Sequence, residues 1–206
     1  TAAGDLDRAI ALAMIPEVTL ATFGDMIRVP GSRSSLEEAR AQGADVHIVY
    51  SPLDALDLAR RHPEREVIFL GVGFETTAPG VAATVLQAYQ EGLANFSVLS
   101  LHKLTPPAMR AILDAGEVRL DGIIGPGHVS AVVGSQAWQF LPADYGMPCA
   151  ISGFESVDIL QSILALVEAI RDERPQVVNA YGRGVDSEGN QVAQQVLARV
   201  FEVARA

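Results

Sequence analysis

The chain has 206 residues, 49% of them hydrophobic and 19% charged, with 25 Asp and Glu against 15 Lys and Arg for a net charge of -10. That length fits one large α/β domain or two small lobes, and the composition supplies a buried core. The acidic balance, with no basic run, argues against a surface that tracks nucleic-acid phosphates.

No apolar stretch approaches the roughly 20 residues of a membrane helix. Thr1-Ala2-Ala3-Gly4-Asp5 lacks the basic start and apolar segment of a secretory signal, so the expected location is cytoplasmic. A start at Thr1 that runs straight into a helix-like segment from Leu6 to Met14 suggests a piece of something longer. The one cysteine, Cys149, excludes an internal disulfide and any multi-cysteine zinc or iron-sulfur site built from this chain alone.

In chain order, Val18 to Phe23, Val46 to Tyr50, Val67 to Val72, Phe96 to Leu101, Gly122 to Ile124 and Cys149 to Ser152 are short, apolar and often β-branched. Such runs predict parallel strands buried on both faces. Helix signals follow them. Ser34 and Ser35 cap a segment through Ala41, with Glu37 and Glu38 in its first turn. Pro52 opens a helix that Pro63 stops. Pro79 to Gly92, Pro106 to Ala115 and Glu155 to Arg171 read likewise. In the last, Val157, Leu160, Ile163, Leu164, Val167 and Ile170 form one apolar stripe. Beyond Arg174-Pro175 the stretches 181–184 and 186–190 read as irregular loop, and Gln191 to Ala204 as a helix.

This alternation predicts parallel sheets flanked by helices with right-handed crossovers. The polar stretch 60–66 is the best candidate boundary. We therefore expect a first lobe over 1–63, a second over 64–175, and a C-terminal loop and helix over 176–206.

Polar residues collect at the strand exits, which is where open α/β sheets bind ligands. The sets are Gly24-Asp25, Ser51-Pro52, Gly73-Phe74-Glu75-Thr76-Thr77, His102-Lys103, Gly125-Pro126-Gly127-His128 and Gly153-Phe154-Glu155. The paired Gly-Phe-Glu triplets suggest one cleft lined by both glutamates. Taken singly, Thr76, Thr77 and Glu155 are explained by helix capping or the helix dipole. Glu75 is harder to assign to capping, because Thr76 and Thr77 already supply it. Gly71 and Gly73 begin a dinucleotide loop, but Thr76 stands at its third glycine, which argues against a nicotinamide site. The glycines and proline before His128 fit a sharp turn or a close approach, and His128 can serve as acid, base or ligand. Cys149 follows Pro148 at a strand start and reads as a buried, inert thiol.

Several of these motifs together resemble one family. Phe23-Gly24-Asp25-Met26 with Arg28-Val29-Pro30-Gly31-Ser32, Gly43-Ala44-Asp45-Val46 and Val49-Tyr50-Ser51-Pro52 carry the first part of the likeness. Gly73 to Pro79, Pro126-Gly127-His128-Val129-Ser130 and Ser152-Gly153-Phe154-Glu155 carry the rest. The chain resembles the hydrogenase maturation protein HypD from about Asp5 through Asn190.

That resemblance implies two Rossmann-like α/β lobes facing a cleft. It also implies a scaffold that assembles the Fe(CN)2CO centre of [NiFe]-hydrogenases with a HypC-type chaperone and a HypE-type cyanide donor, plus a [4Fe-4S] cluster in a separate region. The family's cysteines lie in Cys-Gly-Thr-His, Gly-Pro-Gly-Cys-Pro-x-Cys and C-terminal motifs that this chain lacks, so no cofactor is expected in this piece. Cyanide-bearing iron wants soft thiolates, which casts Glu75 and His128 as proton-handling groups. Asp25, Thr76, Thr77, His102, Gly127 and Glu155 are then cast as groups around a cofactor. Two rivals stand beside this reading: a free-standing enzyme on a small anionic metabolite using Glu75 and His128 as base and acid, and an interaction module, which an exposed apolar patch away from the strand exits would favour.

Overall fold

Val, Ile, Leu, Phe and Ala dominate both faces of the central strands of the first sheet, so those strands need helices above and below. The computed structural model describes residues 2–203. Strands β1 (Val18–Phe23), β2 (Val46–Val49), β3 (Glu66–Gly71) and β4 (Phe96–Ser100) form an all-parallel sheet in the order β2-β1-β3-β4. Period-2 alternation divides its side chains. Ala21, Val67 and Phe69 pack with Ala55, Leu58 and Ala59 of α3 (Pro52–Arg61) and Val81 of α4 (Ala78–Glu91). Leu20, Val46 and Leu70 pack with Ala9 and Ala13 of α1 (Ala3–Ala13) and Leu36 of α2 (Leu36–Ala41). Strand β2 stops one residue short of expectation, because the Asp54 carboxylate accepts from the N–H of Tyr50 (3.0 Å) and Ser51 (2.9 Å) and starts α3 there.

A second, three-stranded parallel sheet has the order β5-β6-β7, from β5 (Ile123–Pro126), β6 (Cys149–Ser152) and β7 (Val177–Asn179). Around its core Ile123, Cys149 and Ile151 pack with Val129 of α6 (Gly127–Val133), Trp138, Leu141 of α7 (Phe140–Tyr145) and Val185, joined by Met109 and Leu113 of α5 (Thr105–Asp114). The indole N–H of buried Trp138 donates to Ser130 Oγ (2.8 Å), which itself donates to the Pro126 carbonyl (2.8 Å). Strand β7 escaped the sequence reading because three residues after a proline carry no periodicity.

Two expectations need correction. The boundary after Pro63 would cut β1 from β3, its register partner from Val18↔Glu66 to Thr22↔Leu70. The first compact unit instead takes the chain up to Gly73, Thr77–His102 and the segment from Val196, and the second holds Phe74–Thr76 and Lys103–Gln195. Non-local ladder bonds outweigh a local polar stretch. Nor is 176–206 a separate extension, since β7 joins the second sheet and Val185 its core. Its helix, α9, runs Gln191–Val200 rather than to Ala204, which lies outside the described residues.

Helix α8 spans Ser156–Arg171. Its buried residues are Asp158, Ser162 and Ala169, whereas Val157, Leu160, Ile163, Leu164, Val167 and Ile170 are exposed. Small and polar residues let the helix approach its sheet closely, and the apolar stripe is on the outside.

Replacing Ser130 with Ala removes the acceptor of a fully buried indole N–H. We expect a loss of about 1–3 kcal/mol in unfolding free energy by chemical denaturation; an unchanged midpoint would refute the Trp138 anchor.

Candidate functional site at the strand exits

In the first sheet the order β2-β1-β3-β4 reverses direction between β1 and β3, which makes their exits a topological switch point. Asp25 lies exposed in the 3-10 turn Gly24–Met26 that follows β1. After β3, Gly73 sits at φ 146°, a conformation that other residues rarely adopt, and a Cβ there would collide with Thr77 Oγ1. Thr77 is the N-cap residue of α4. His102 follows β4, with Nδ1 2.9 Å from Ser100 Oγ and its ring packed over Gly71. Its Nε2 is buried without a hydrogen-bond partner among the described residues, and burial holds its pKa below the ordinary 6.5. The Gly71 and Gly73 pair is thus occupied by the chain's own side chains, which removes the remaining case for a dinucleotide loop.

In the second unit Glu75 is only 2% exposed. Its carboxylate accepts from the Thr105 N–H (2.6 Å) and the Thr105 hydroxyl (2.8 Å), so it anchors the first turn of α5. This corrects the expectation of a carboxylate spared from capping: Glu75 caps a helix thirty residues along the chain rather than the one that follows it. Thr76 beside it is exposed.

The second sheet carries the richer set. Gly127 is buried, and a Cβ there would strike the Ser152 carbonyl, so it permits the close approach of the β5 and β6 exits. His128 is exposed, its ring edge-on to Phe154 (centroids 4.7 Å apart, 76° between planes) and 6.4 Å from Tyr181. Phe154 itself is 73% exposed.

Glu155 is exposed and pairs with Arg183 at 3.1 Å. Arg183 in turn forks onto Asp158 with two bonds of 2.6 Å and lies 4.6 Å over the Tyr181 ring. Those Arg183 bonds hold the Asp158 carboxyl below its usual range, while Asp158 is 2% exposed. One guanidinium therefore ties the start of α8, Glu155 and the Tyr181 loop into a single rigid group beside His128. Asp158, Tyr181 and Arg183 were not singled out from sequence. The available hints were an acid on the sheet-facing side of a helix and an aromatic-Gly-Arg-Gly run in a supposed loop.

Two hollows lie elsewhere. Cavities of about 370 and 360 Å³ open at the strand starts, one lined by Asp121, Pro148 and Glu173, the other by Met14, Asp45 and Arg65. In the latter Arg65 is already committed to Val18 O (2.9 Å), Thr19 Oγ1 (2.7 Å) and Asp45 (3.0 Å), a tie between strand starts. The converging side chains, rather than volume, mark the exits as the candidate site.

An iron-sulfur cluster does not fit these residues. Among the described residues no three His, Cys, Asp or Glu side chains gather where a metal could sit. Cys149, the one thiol, is fully buried at the start of β6, and burial pushes its pKa up to about 12, far from the thiolate a metal takes.

Parallel sheets flanked by helices, with polar groups at their strand exits, define an open α/β protein. Comparison with known proteins sharpens that class. The HypD family model, described as "Hydrogenase formation hypA family", matches residues 1–206. The hydrogenase maturation factor HypD of Rhodobacter capsulatus is 51% identical over 197 residues, covering 96% of this chain and 52% of the relative. That of Azotobacter vinelandii is 50% identical over 206 residues (97% and 54%), and that of Escherichia coli K12 is 43% identical over 198 (96% and 53%). The chain belongs to the HypD family of hydrogenase maturation factors, and it spans about half the length of these relatives.

Two measurements check this site. Arg183→Leu strands a buried Asp158 charge and should lower the melting temperature, while Asp158→Asn in the same chain should recover much of the loss; equal melting of Arg183→Leu and the parent would refute the anchoring role. For His102, the folded pKa lies below the unfolded one, so the stability tied to its neutral form is complete above about pH 6.5 and declines as pH falls below that. His102→Gln should flatten the melting temperature between pH 7 and 5.5; an identical pH slope in both proteins would refute it.

Proposed function

We propose that this chain is the α/β scaffold portion of a [NiFe]-hydrogenase maturation factor, acting in the cytoplasm with a HypC-type chaperone and a HypE-type cyanide donor while an Fe(CN)2CO unit is assembled. The observation that carries the reading is the group His128, Phe154, Glu155 and Arg183 at the exits of β5, β6 and β7, in a chain whose relatives are named maturation factors. The iron unit is cargo, and its soft ligands come from outside this chain, because Cys149 is buried and protonated. His128 and Glu155 are then groups that orient the iron-bearing site and exchange protons beside it, as outer-shell partners do. No described helix is long and apolar enough to cross a membrane, in keeping with this setting.

The rival enzyme on a small anionic metabolite is less well supported. Glu75, its expected base, is buried on Thr105. Arg183 is shared between Asp158 and Glu155, which leaves no net positive charge there for an anion.

The test uses a complete protein in which this chain replaces the matched span of the Azotobacter vinelandii relative, in a strain lacking that relative. His128→Ala and Glu155→Gln should each reduce hydrogenase maturation by about 10 to 100-fold while melting stays within about 2 °C of the parent, as expected for exposed positions. Glu75→Ala should instead cost about 1–3 kcal/mol of stability, from the buried hydrogen bonds it loses. Full maturation by both exposed-site variants would overturn the proposal.

A further inference from the structure

Helix α8 faces the wrong way for its composition. At 100° per residue, its buried positions 158, 162 and 169 and its apolar positions 157, 160, 163, 164, 167 and 170 point roughly 170° apart. Val157, Leu160, Leu164 and Val167 are 62%, 65%, 57% and 56% exposed and are spaced 3-4-3, the seam of a helix that takes another helix. Ile163 and Ile170 widen the same stripe. A contiguous aliphatic face of this kind marks an interface.

The composition of the face points to its occupant. From Val157 to Ile170 it holds only Val, Leu and Ile, with Arg171 at its C-terminal end, so its centre resembles the interior of a domain cut open. A second copy would bring together two chains of net charge -10. A segment of the same polypeptide escapes that objection, and covalent linkage lowers the entropic cost of association and supplies a high effective concentration. The relatives hold nearly half their length outside the span matched here.

We infer that in the full-length protein the Val157–Leu160–Leu164–Val167 face of α8 is an interior surface, covered by a helix with its own aliphatic stripe from the part of the polypeptide beyond this span. The inference is independent of the site at the strand exits.

The test places the photoreactive residue p-benzoylphenylalanine at Leu164 in the full-length chimera with the Azotobacter vinelandii relative. The same probe goes at the aligned position of the unaltered relative, which needs no chimera to fold. The expected result in both is an intrachain cross-link to residues outside the matched span. Cross-links to a second copy, to another protein or to residues within this span, or no cross-link in the unaltered relative, would overturn the inference. A second measurement reads stability. Leu164→Glu should shift the melting of the 206-residue chain by less than about 2 °C, because the position is exposed there, but should lower that of the full-length protein by at least about 5 °C, because a charge enters an apolar interface. Equal shifts in both would count against it.

Discussion

A strand buried on both faces leaves little room for polar side chains larger than threonine except at its ends. In the first sheet Leu20, Ala21, Val67, Phe69 and Leu70 are all sealed between helix layers, and in the second Cys149, Ala150 and Ile151 are sealed as completely. Because every strand pairing is parallel, the exits of each sheet lie along one edge. The constraint that builds the core therefore also gathers the chemistry. Asp25, Gly73 and His102 collect on one sheet, and Gly127, His128, Phe154 and Glu155 on the other.

What happens at those ends depends on which polar groups are already satisfied. Glu75 and Asp158 are both buried carboxylates, and a buried charge persists only with partners. Thr105 supplies them for the first and Arg183 for the second. Both are thereby spent on structure. His128, Phe154 and Glu155 remain turned toward solvent, held in place by rigid neighbours, which suits groups that must meet something brought to them.

The strands were legible because two-sided burial writes an unbroken apolar run, and β1 and β6 fall at the residues the sequence indicates. Helix starts were legible where a Ser or Pro marks them, as at Ser35 and Pro52. Partnership between distant residues was not legible. Glu75 looked uncommitted because its partner Thr105 lies thirty residues on. Arg183 looked like loop because its role depends on Asp158, twenty-five residues earlier. The stripe of α8 is legible as a stripe, but periodicity reports that a face is apolar and not what covers it. The lobe boundary failed for a related reason: β3 belongs with β1 through ladder bonds that leave no local trace.

The central claim is that His128 and Glu155 act on the surroundings of an iron unit whose ligands come from elsewhere in the polypeptide. Cyanide and carbonyl stretching bands report those surroundings directly. Infrared spectra should therefore be recorded on the full-length chimera purified from a maturation-competent strain, with and without Glu155→Gln. The account predicts bands that shift or weaken in the variant while its melting temperature stays at the parent level. Identical bands of equal intensity in both proteins would contradict it.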